Sequence, residues 1–138
     1  MAEINGKLPL PLNGVRILDA THVLAGPFCS MILADMGAEV IKIERPGVGD
    51  RARISKPVME KPDGQRVSAL FLGINRNKKS VTLDLRDPRG KQVFHELVRA
   101  SEALLDNWGP EALRRLGLGY DDLRQVNPSL VYASITGY

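Results

Sequence analysis

Near its start, the chain shows apolar and polar residues in an order that predicts a strand, a helix and a second strand. Residues 15–18 are a short, mostly apolar run closed by Asp19, as in a strand buried on both faces of a parallel sheet. Pro27 is suited to begin a helix, because its missing N–H needs no partner in the first turn. The apolar residues that follow at helical spacing are Phe28, Met31, Ile32 and Met36. Gly37 then provides a left-handed stop, and residues 40–43 form the second strand, which completes a βαβ unit.

The rest of the chain continues this alternation after one long interruption. Residues 46–65 show no period and predict a surface loop, followed at 67–74 by a short helix or buried link and by a basic turn at 75–79. Further strands are predicted at 80–85, 103–105 and 130–135, and helices at 88–98, 111–116 and 120–126, the first of them capped by Asp87. Residues 1–14 are a loose lead-in, and residues 15–138 form one α/β domain, with a Rossmann-like, mainly parallel sheet flanked by helices.

Composition and charge narrow the classes of partner. The 138 residues contain 19 Lys and Arg against 16 Asp and Glu, a mild positive balance that suits a small anionic ligand. One Trp, three Tyr and three Phe are too few to indicate a base-stacking surface for nucleic acid. Cys29 is the single cysteine, so no internal disulfide is possible, and no run has the length of a membrane span. We expect a cytoplasmic protein with neither nucleic acid nor membrane as a partner, and no metal site.

Three turns that follow predicted strands are candidates for a ligand site, at residues 21–26, 83–86 and 107–109. In a parallel sheet such turns meet at one edge, where ligands bind. A dinucleotide is not indicated, because the first turn contains only Gly26 and lacks the three spaced glycines that hold a pyrophosphate. This apolar turn is better suited to a thioester arm or an adenine face. Arg51 and Arg53 in the long loop are equally compatible with solvated surface and with anion binding.

Four ordered segments carry a resemblance to a known family. They are LDATHVLAGPFCSMILADMGAEVIKIERPGVGD (18–50), NRNKKSVTLDLRDPRG (75–90), DNWGPEALRRLGLGYDDL (106–123) and NPSLVYASITGY (127–138). From Leu12 onward the chain resembles the N-terminal part of the class III coenzyme A transferases, a group that includes formyl-CoA transferase and alpha-methylacyl-CoA racemase. The resemblance implies acyl-CoA and a carboxylic acid acceptor as substrates, no tightly bound cofactor, and an interlocked homodimer for the full-length protein.

The resemblance also implies which residues contact coenzyme A. Carried over position by position, they are His22, Val23, Leu24, Ala25, Arg45, Leu83, Asp84, Leu85, Arg86, Asn107, Trp108, Gly109 and Arg115. The arginines offer planar charged groups to phosphate oxygens, and Trp108 offers a flat apolar face to adenine or the pantetheine arm. Leu24 replaces a glutamine of formyl-CoA transferase, which argues against an oxalate-type active site.

The catalytic residue implied by the resemblance lies outside this sequence. In the transferases an aspartate attacks the acyl-CoA thioester and passes through an aspartyl-CoA intermediate, and the order of the segments places that aspartate after Tyr138. We therefore expect the 138-residue chain to bind CoA without turning it over. Two other functions stay open: a 2-methylacyl-CoA racemase or epimerase, which moves an alpha proton by general acid and base catalysis, and a non-catalytic CoA-binding module.

Overall fold

The computed structural model describes residues 9–109 and 111–137. In chain order its elements are β1 (Arg16–Ala20), α1 (Ala25–Asp35), β2 (Glu39–Glu44), a 3-10 helix (Arg51–Ile54), β3 (Val58–Glu60), β4 (Arg66–Ser68), α2 (Ala69–Ile74), β5 (Lys78–Thr82), α3 (Pro88–Arg99), β6 (Ala103–Asp106), α4 (Ala112–Arg115), α5 (Tyr120–Val126) and β7 (Val131–Ser134). Residues 1–8 of the predicted lead-in lie outside the described residues. Within the described part, no helix has the length and apolar character needed to span a bilayer.

Five strands form one sheet in the order β5-β2-β1-β6-β7, and every pairing in it is parallel. In the central strand β1, Ile17 lies opposite Val40 of β2 on one side and Ala103 of β6 on the other. The chain adds strands first to one side of β1 and then to the other, which creates a switch point beside β1 where ligands bind in such sheets. The predicted α/β fold with a Rossmann-like, mainly parallel sheet is confirmed.

Two apolar clusters cover the two faces of the sheet. In β1, Leu18 belongs to the cluster that includes Phe94 of α3 and Leu123 of α5, whereas the preceding Ile17 belongs to the cluster that includes Ala34 of α1. Successive side chains of a strand point to opposite faces, so a strand covered on both faces must be apolar at nearly every position. This explains why the strands read as short continuous apolar runs.

Helix α1 differs from its prediction in its start and in its buried face. It begins at Ala25, two residues before Pro27, and Gly37 after it has φ +99°, as the predicted stop requires. Of the predicted apolar positions, Met31 is buried, whereas Phe28, Ile32 and Met36 are 49%, 43% and 38% exposed. The buried positions are instead mostly small: Gly26, Pro27, Ser30, Met31 and Ala34.

Close packing of α1 on the sheet explains why mostly small residues are buried and large apolar residues are exposed. A Cβ atom built on Gly26 would lie 2.3 Å from the Cβ atom of Thr21, so the helix approaches the end of β1 too closely for a larger residue. The large side chains therefore turn outward and form a row at every fourth position, Leu24, Phe28, Ile32 and Met36, which we call the α1 ridge.

The predicted surface loop at 46–65 is mostly exposed, as expected, but it contains regular structure that the prediction did not include. The 3-10 helix and the antiparallel hairpin of β3 and β4 lie at its centre and its end. Asp50 is fully buried and caps the 3-10 helix by accepting a hydrogen bond from the Ala52 N–H at 2.8 Å. A single buried capping carboxylate thus gives structure to a segment without hydrophobic periodicity.

Three strand boundaries differ from the prediction, two of them because a buried charge was assigned to a turn. β1 continues through Asp19 to Ala20, and β5 begins at Lys78, within the predicted basic turn, and ends at Thr82 rather than at residue 85. Asp19 and Lys78 form an ion pair with 2.9 Å between Oδ2 and Nζ, and both side chains are at most 2% exposed. Pairing allows these charges to lie inside the domain. Elsewhere the predictions hold within two residues, and Asp87 caps α3 as predicted.

Candidate functional site

A cleft of about 520 Å³ opens at the edge of the sheet where the parallel strands end. Its walls come from four segments: the end of β2 with the turn after it (residues 43–46 and Val48), the loop after β5 (residues 83–86), Trp108 after β6, and α4 with the residue that follows it (Ala112, Arg115 and Leu116). The carboxyl ends of parallel strands form this edge, which is the ligand-binding edge of open α/β sheets.

Seven of the thirteen residues implied as CoA contacts line this cleft: Arg45, Leu83, Asp84, Leu85, Arg86, Trp108 and Arg115. Arg45, Arg86 and Trp108, which come from three different segments, thus share one cleft rather than lying on opposite sides of the sheet. Their contact with CoA stays a prediction.

The other six implied contacts are not among the residues that line the cleft: His22, Val23, Leu24, Ala25, Asn107 and Gly109. The Asn107 amide joins two of the turns, because its Oδ1 accepts from the His22 N–H at 2.8 Å and its Nδ2 donates to the His22 carbonyl at 2.8 Å. This reciprocal pair holds the turn after β1 next to the turn after β6. The side chains of Val23 and Leu24 are 44% and 52% exposed, so the apolar part of the first turn is accessible.

Trp108 is anchored among polar and charged neighbours. Its indole Nε1 donates a hydrogen bond to the Ala20 carbonyl at the end of β1. The His22 ring lies 4.9 Å away, between ring centroids, and the Arg45 guanidinium carbon lies 5.1 Å from the indole centroid, within the range of a cation–π contact. The indole is therefore held as a fixed, flat wall of the cleft with a permanent positive charge beside it.

The charge that the cleft offers to a ligand is positive. Three of its lining residues are arginines, Arg45, Arg86 and Arg115. In the part of the chain that the structure describes, none of the three forms an ion pair with a carboxylate. Guanidinium groups that are not already paired can bind phosphate oxygens in a two-pronged manner.

Glu44 lines the same cleft, but its negative charge is paired with the guanidinium of Arg53, which does not line the cleft. Arg53 donates to it from Nε at 2.7 Å and from Nη2 at 2.6 Å, and Ser80 donates at 2.7 Å. Burial alone would raise the pKa of Glu44, but the hydrogen bonds from Arg53, then from Ser80 and the Asp50 N–H, outweigh it and lower the pKa to about 2. The structure therefore supports neither interpretation of Arg53, as solvated surface or as a free anion-binding group. Its guanidinium is paired with Glu44, and the guanidinium carbon lies 3.9 Å from the centroid of the Phe71 ring.

Beneath the first turn lies a set of buried charges that the sequence analysis did not single out. Asp19 accepts hydrogen bonds from the Thr21 N–H at 2.9 Å, the Ser30 hydroxyl at 2.6 Å and the Lys78 ammonium at 2.9 Å. Burial would raise the pKa of Asp19, but the positive charges of Lys42 and then Lys78, together with the hydrogen bonds from the Ser30 and Thr21 hydroxyls, lower it. Asp19 therefore stays charged and ties the end of β1 to the start of α1.

Lys42 and Asp50 form a second buried pair in this set. The Lys42 ammonium lies 2.8 Å from Asp50 Oδ2 and donates to the Thr21 carbonyl at 2.8 Å. Asp50 also accepts from the Val23 N–H at 3.0 Å. Burial opposes the charge of Asp50, but the bonds from Lys42 and from the backbone lower its pKa. The one signal in the sequence was Lys42 within the otherwise apolar run VIKI (40–43), since a charge at a buried strand position requires a partner.

His22 is held neutral by its surroundings. Burial lowers the pKa of its imidazole, and the nearby positive charges of Lys42 and Arg45 lower it further, against the opposing effect of Asp50. Its Nε2 atom is buried without a hydrogen-bond partner among the described residues. Those residues also include no group of three or more His, Cys, Asp and Glu side chains placed to hold a metal ion. The arginines and Trp108 of the cleft, together with the exposed Val23 and Leu24 of the first turn, suit the binding of an anionic ligand that also has an apolar part.

Comparison with known proteins agrees with the resemblance read from the sequence. A family model described as CoA-transferase family III matches residues 12–138. The chain is 49% identical over 128 residues to succinyl-CoA:glutarate CoA-transferase of Mus musculus, and 46% identical over 127 residues to formyl-CoA:oxalate CoA-transferase of Rhodopseudomonas palustris. These matches cover 93% and 92% of the chain but 28% and 29% of the relatives, so the chain spans less than a third of their length.

Two solved structures share this fold. The protein Rv3272 of M. tuberculosis superposes with a TM-score of 0.83 at 44% identity, over 93% of this chain and 35% of that protein. A CAIB/BAIF family protein from Brucella suis superposes with a TM-score of 0.87 at 36% identity, over 95% of this chain and 34% of that protein. Since the family model matches almost the whole chain, this protein belongs to CoA-transferase family III.

Proposed function

We propose that the cleft binds the coenzyme A part of an acyl-CoA thioester. The observation that carries this proposal is the convergence at the ligand-binding edge of the sheet of one anchored indole and three arginines that form no ion pair with a carboxylate among the described residues. Coenzyme A combines phosphate groups with an adenine ring and a long, largely apolar arm. Arg45, Arg86 and Arg115 supply charge for the phosphates, and Trp108 supplies a flat surface for the ring or the arm.

We further propose that the full-length protein transfers CoA from an acyl-CoA thioester to a carboxylic acid. An aspartate carboxylate, expected after Tyr138, attacks the thioester carbonyl and releases the CoA thiolate, which leaves a mixed anhydride. The thiolate then attacks the aspartyl carbonyl, giving aspartyl-CoA and the free acid, and the acceptor acid takes the CoA by the same two steps in reverse. The mouse and bacterial relatives support this proposal, because their names state CoA transfer to glutarate and to oxalate.

We also propose that the full-length protein is a cytoplasmic homodimer. The exposed α1 ridge and the edge strand β7, whose Val131 is 65% exposed, are surfaces that a larger assembly can cover. Light scattering of the full-length protein at micromolar concentration tests this, and a monomer mass would contradict it.

Titration calorimetry with coenzyme A tests the binding proposal on the 138-residue chain. Replacing Arg86 by Ala removes one charged hydrogen-bonding group from the cleft, and we expect the Kd for CoA to rise at least about tenfold. The matched control is Arg66→Ala, since Arg66 is exposed on the hairpin and does not line the cleft. Trp108 is the single tryptophan, so its fluorescence reports binding independently.

Two results would contradict the proposed function. One is the absence of any heat or fluorescence change with millimolar CoA while the chain is folded. The other is an equal effect of Arg86→Ala and Arg66→Ala on the Kd. With the full-length protein, exchange of labelled CoA between two acids supports transfer, whereas exchange of the alpha proton without acyl exchange would indicate the racemase chemistry instead.

A further inference from the structure

The side chains of Lys42 and Asp50 both form hydrogen bonds to the backbone of the first turn, one to a carbonyl and the other to an N–H. Lys42 donates to the carbonyl of Thr21, and Asp50 accepts from the N–H of Val23, two residues further along. The two side chains are 1% and 0% exposed, and 2.8 Å separates the ammonium nitrogen from the nearer carboxylate oxygen. Neither residue lines the cleft or belongs to the implied CoA contacts.

The turn that they hold has an unusual backbone conformation. Val23 has φ +68°, and a β-branched residue rarely adopts a positive φ unless its surroundings impose it. The hydrogen bond from its N–H to Asp50 at 3.0 Å is one such constraint, and the bond between the Thr21 carbonyl and Lys42 is another. The pair thus constrains residues 21–23 at the Thr21 carbonyl and the Val23 N–H, while Asn107 and Asp19 bond to the other backbone groups of Thr21 and His22.

Asp50 also connects this turn to the wall of the cleft. Its backbone N–H donates to Glu44 Oε2 at 2.9 Å, and Glu44 and the adjacent Arg45 both line the cleft. On the other side of the turn, the His22 ring lies against Trp108. The position of the buried pair therefore decides how the first turn meets both the charged and the aromatic parts of the cleft.

Stability alone is a poor explanation for such a pair. Removing two charges from water is costly, and a buried ion pair replaced by apolar residues of similar volume often leaves a protein equally or more stable. The specific contribution of these two residues is the pair of directed bonds to the turn, which apolar side chains lack.

We propose that Lys42 and Asp50 are positioning residues, which hold the first turn against the cleft so that the CoA site is assembled before the ligand binds. This inference rests on the proposed function, because the site in question is the proposed CoA site. Neither residue touches the ligand in this scheme; both act through the backbone of residues 21–23 and through the cleft wall.

The test compares single and double substitutions by CoA affinity and by unfolding in urea. In Lys42→Met and in Asp50→Asn we expect both lower stability and a Kd for CoA raised at least about tenfold. In the double variant Lys42→Met/Asp50→Leu, the stability is expected to recover in part, because no unpaired charge remains although the Asp50 cap on the Ala52 N–H is lost, whereas the Kd stays raised because the bonds to the turn are still missing. Recovery of affinity together with stability would overturn the proposal.

Lys78→Met is the matched control. Lys78 is also a lysine with a buried ammonium, at 2% side-chain exposure, but it bonds to Asp19, the Pro27 carbonyl and Asn75, and it reaches the first turn only through Asp19, which accepts from the Thr21 N–H. We expect it to lower stability while the Kd for CoA changes less than about twofold. A rise in Kd equal to that of Lys42→Met would show that any buried charge has this effect, and would refute a specific role for the pair.

A measurement without ligand separates this inference from the proposed function. If the unaltered chain does not bind CoA, the proposed function fails, yet the position of the turn can still be read from the shielding of Trp108 by His22. We expect acrylamide to quench Trp108 fluorescence more strongly in the double variant than in the unaltered chain and Lys78→Met. Equal quenching in all three would refute the positioning role, whatever the result with CoA.

Discussion

The carboxylate of Glu44 is expected to make folding stability depend on pH in the acid range. Its pKa of about 2 in the folded protein, against 4.5 ordinarily, corresponds to about 3 kcal/mol, since each pKa unit is worth about 1.4 kcal/mol. Glu44 is 3% exposed, but its partner Arg53 is 42% exposed, so solvent screening lowers our expectation to about 2 kcal/mol.

The sign follows from the direction of the pKa change. Because the folded protein binds the proton of Glu44 less readily than the unfolded chain, the stabilisation is complete above pH 4.5 and is lost as the pH falls toward 2. Glu44→Gln lacks this contribution at every pH. We therefore expect the variant to be about 2 kcal/mol less stable at pH 7, with the difference from the unaltered chain falling to roughly half near pH 3 and almost disappearing near pH 2.

Urea unfolding followed by circular dichroism between pH 7 and pH 2 measures this difference. Glu96→Gln is the control, because Glu96 is 65% exposed in a surface pair with Arg99 and such pairs are worth about 0–1 kcal/mol. The reasoning would be refuted if Glu44→Gln changed stability no more than the control at pH 7. It would also be refuted if the deficit stayed constant down to pH 2.

Three further predictions concern packing and the exposed surface. Gly90→Ala is expected to lower the free energy of unfolding by about 1–3 kcal/mol, because the new Cβ would lie 2.0 Å from a backbone carbonyl oxygen of the loop after β5. Gly73→Ala, with open space around it in α2, should instead be neutral or stabilising in the same urea titration, and equal effects would contradict this. Phe94→Ala removes a fully buried ring and should cost about 3–5 kcal/mol, where a loss below about 1 kcal/mol would contradict its place in the core. Phe28→Lys with Ile32→Lys should reduce self-association of the chain in sedimentation velocity with little change in stability, and unchanged association would exclude the α1 ridge as the cause.

Local signals in the sequence were sufficient for most of the fold. The short apolar runs predicted parallel strands covered on both faces, and Asp87 followed by Pro88 predicted the start of α3. The buried face of α1 could not be predicted in this way, because hydrophobicity favours large residues in the interior. The observed packing instead requires small residues such as Gly26 where the helix approaches β1 closely.

The candidate site was predictable where topology alone decides the position. Turns after parallel strands meet at one edge, and Arg86 and Trp108 do share a cleft there. The buried pairs were not predictable, because a charged residue gives no local sign of a partner far along the chain, as for Asp19 and Lys78, which are 59 positions apart. The role of Asn107 as a link to the backbone of the first turn depends equally on contacts formed only after folding.

The walls of the cleft come from segments that are separate in the sequence, around residues 45, 83–86 and 108–116. A molecule that spans them can bind only when all are in place, so its binding and the folding of the domain are linked by mass action. At a free concentration one hundred times its Kd, such a ligand adds about 2.7 kcal/mol to the folded state. Under the proposed binding of CoA, resistance of the chain to proteases is therefore expected to rise with the concentration of free CoA.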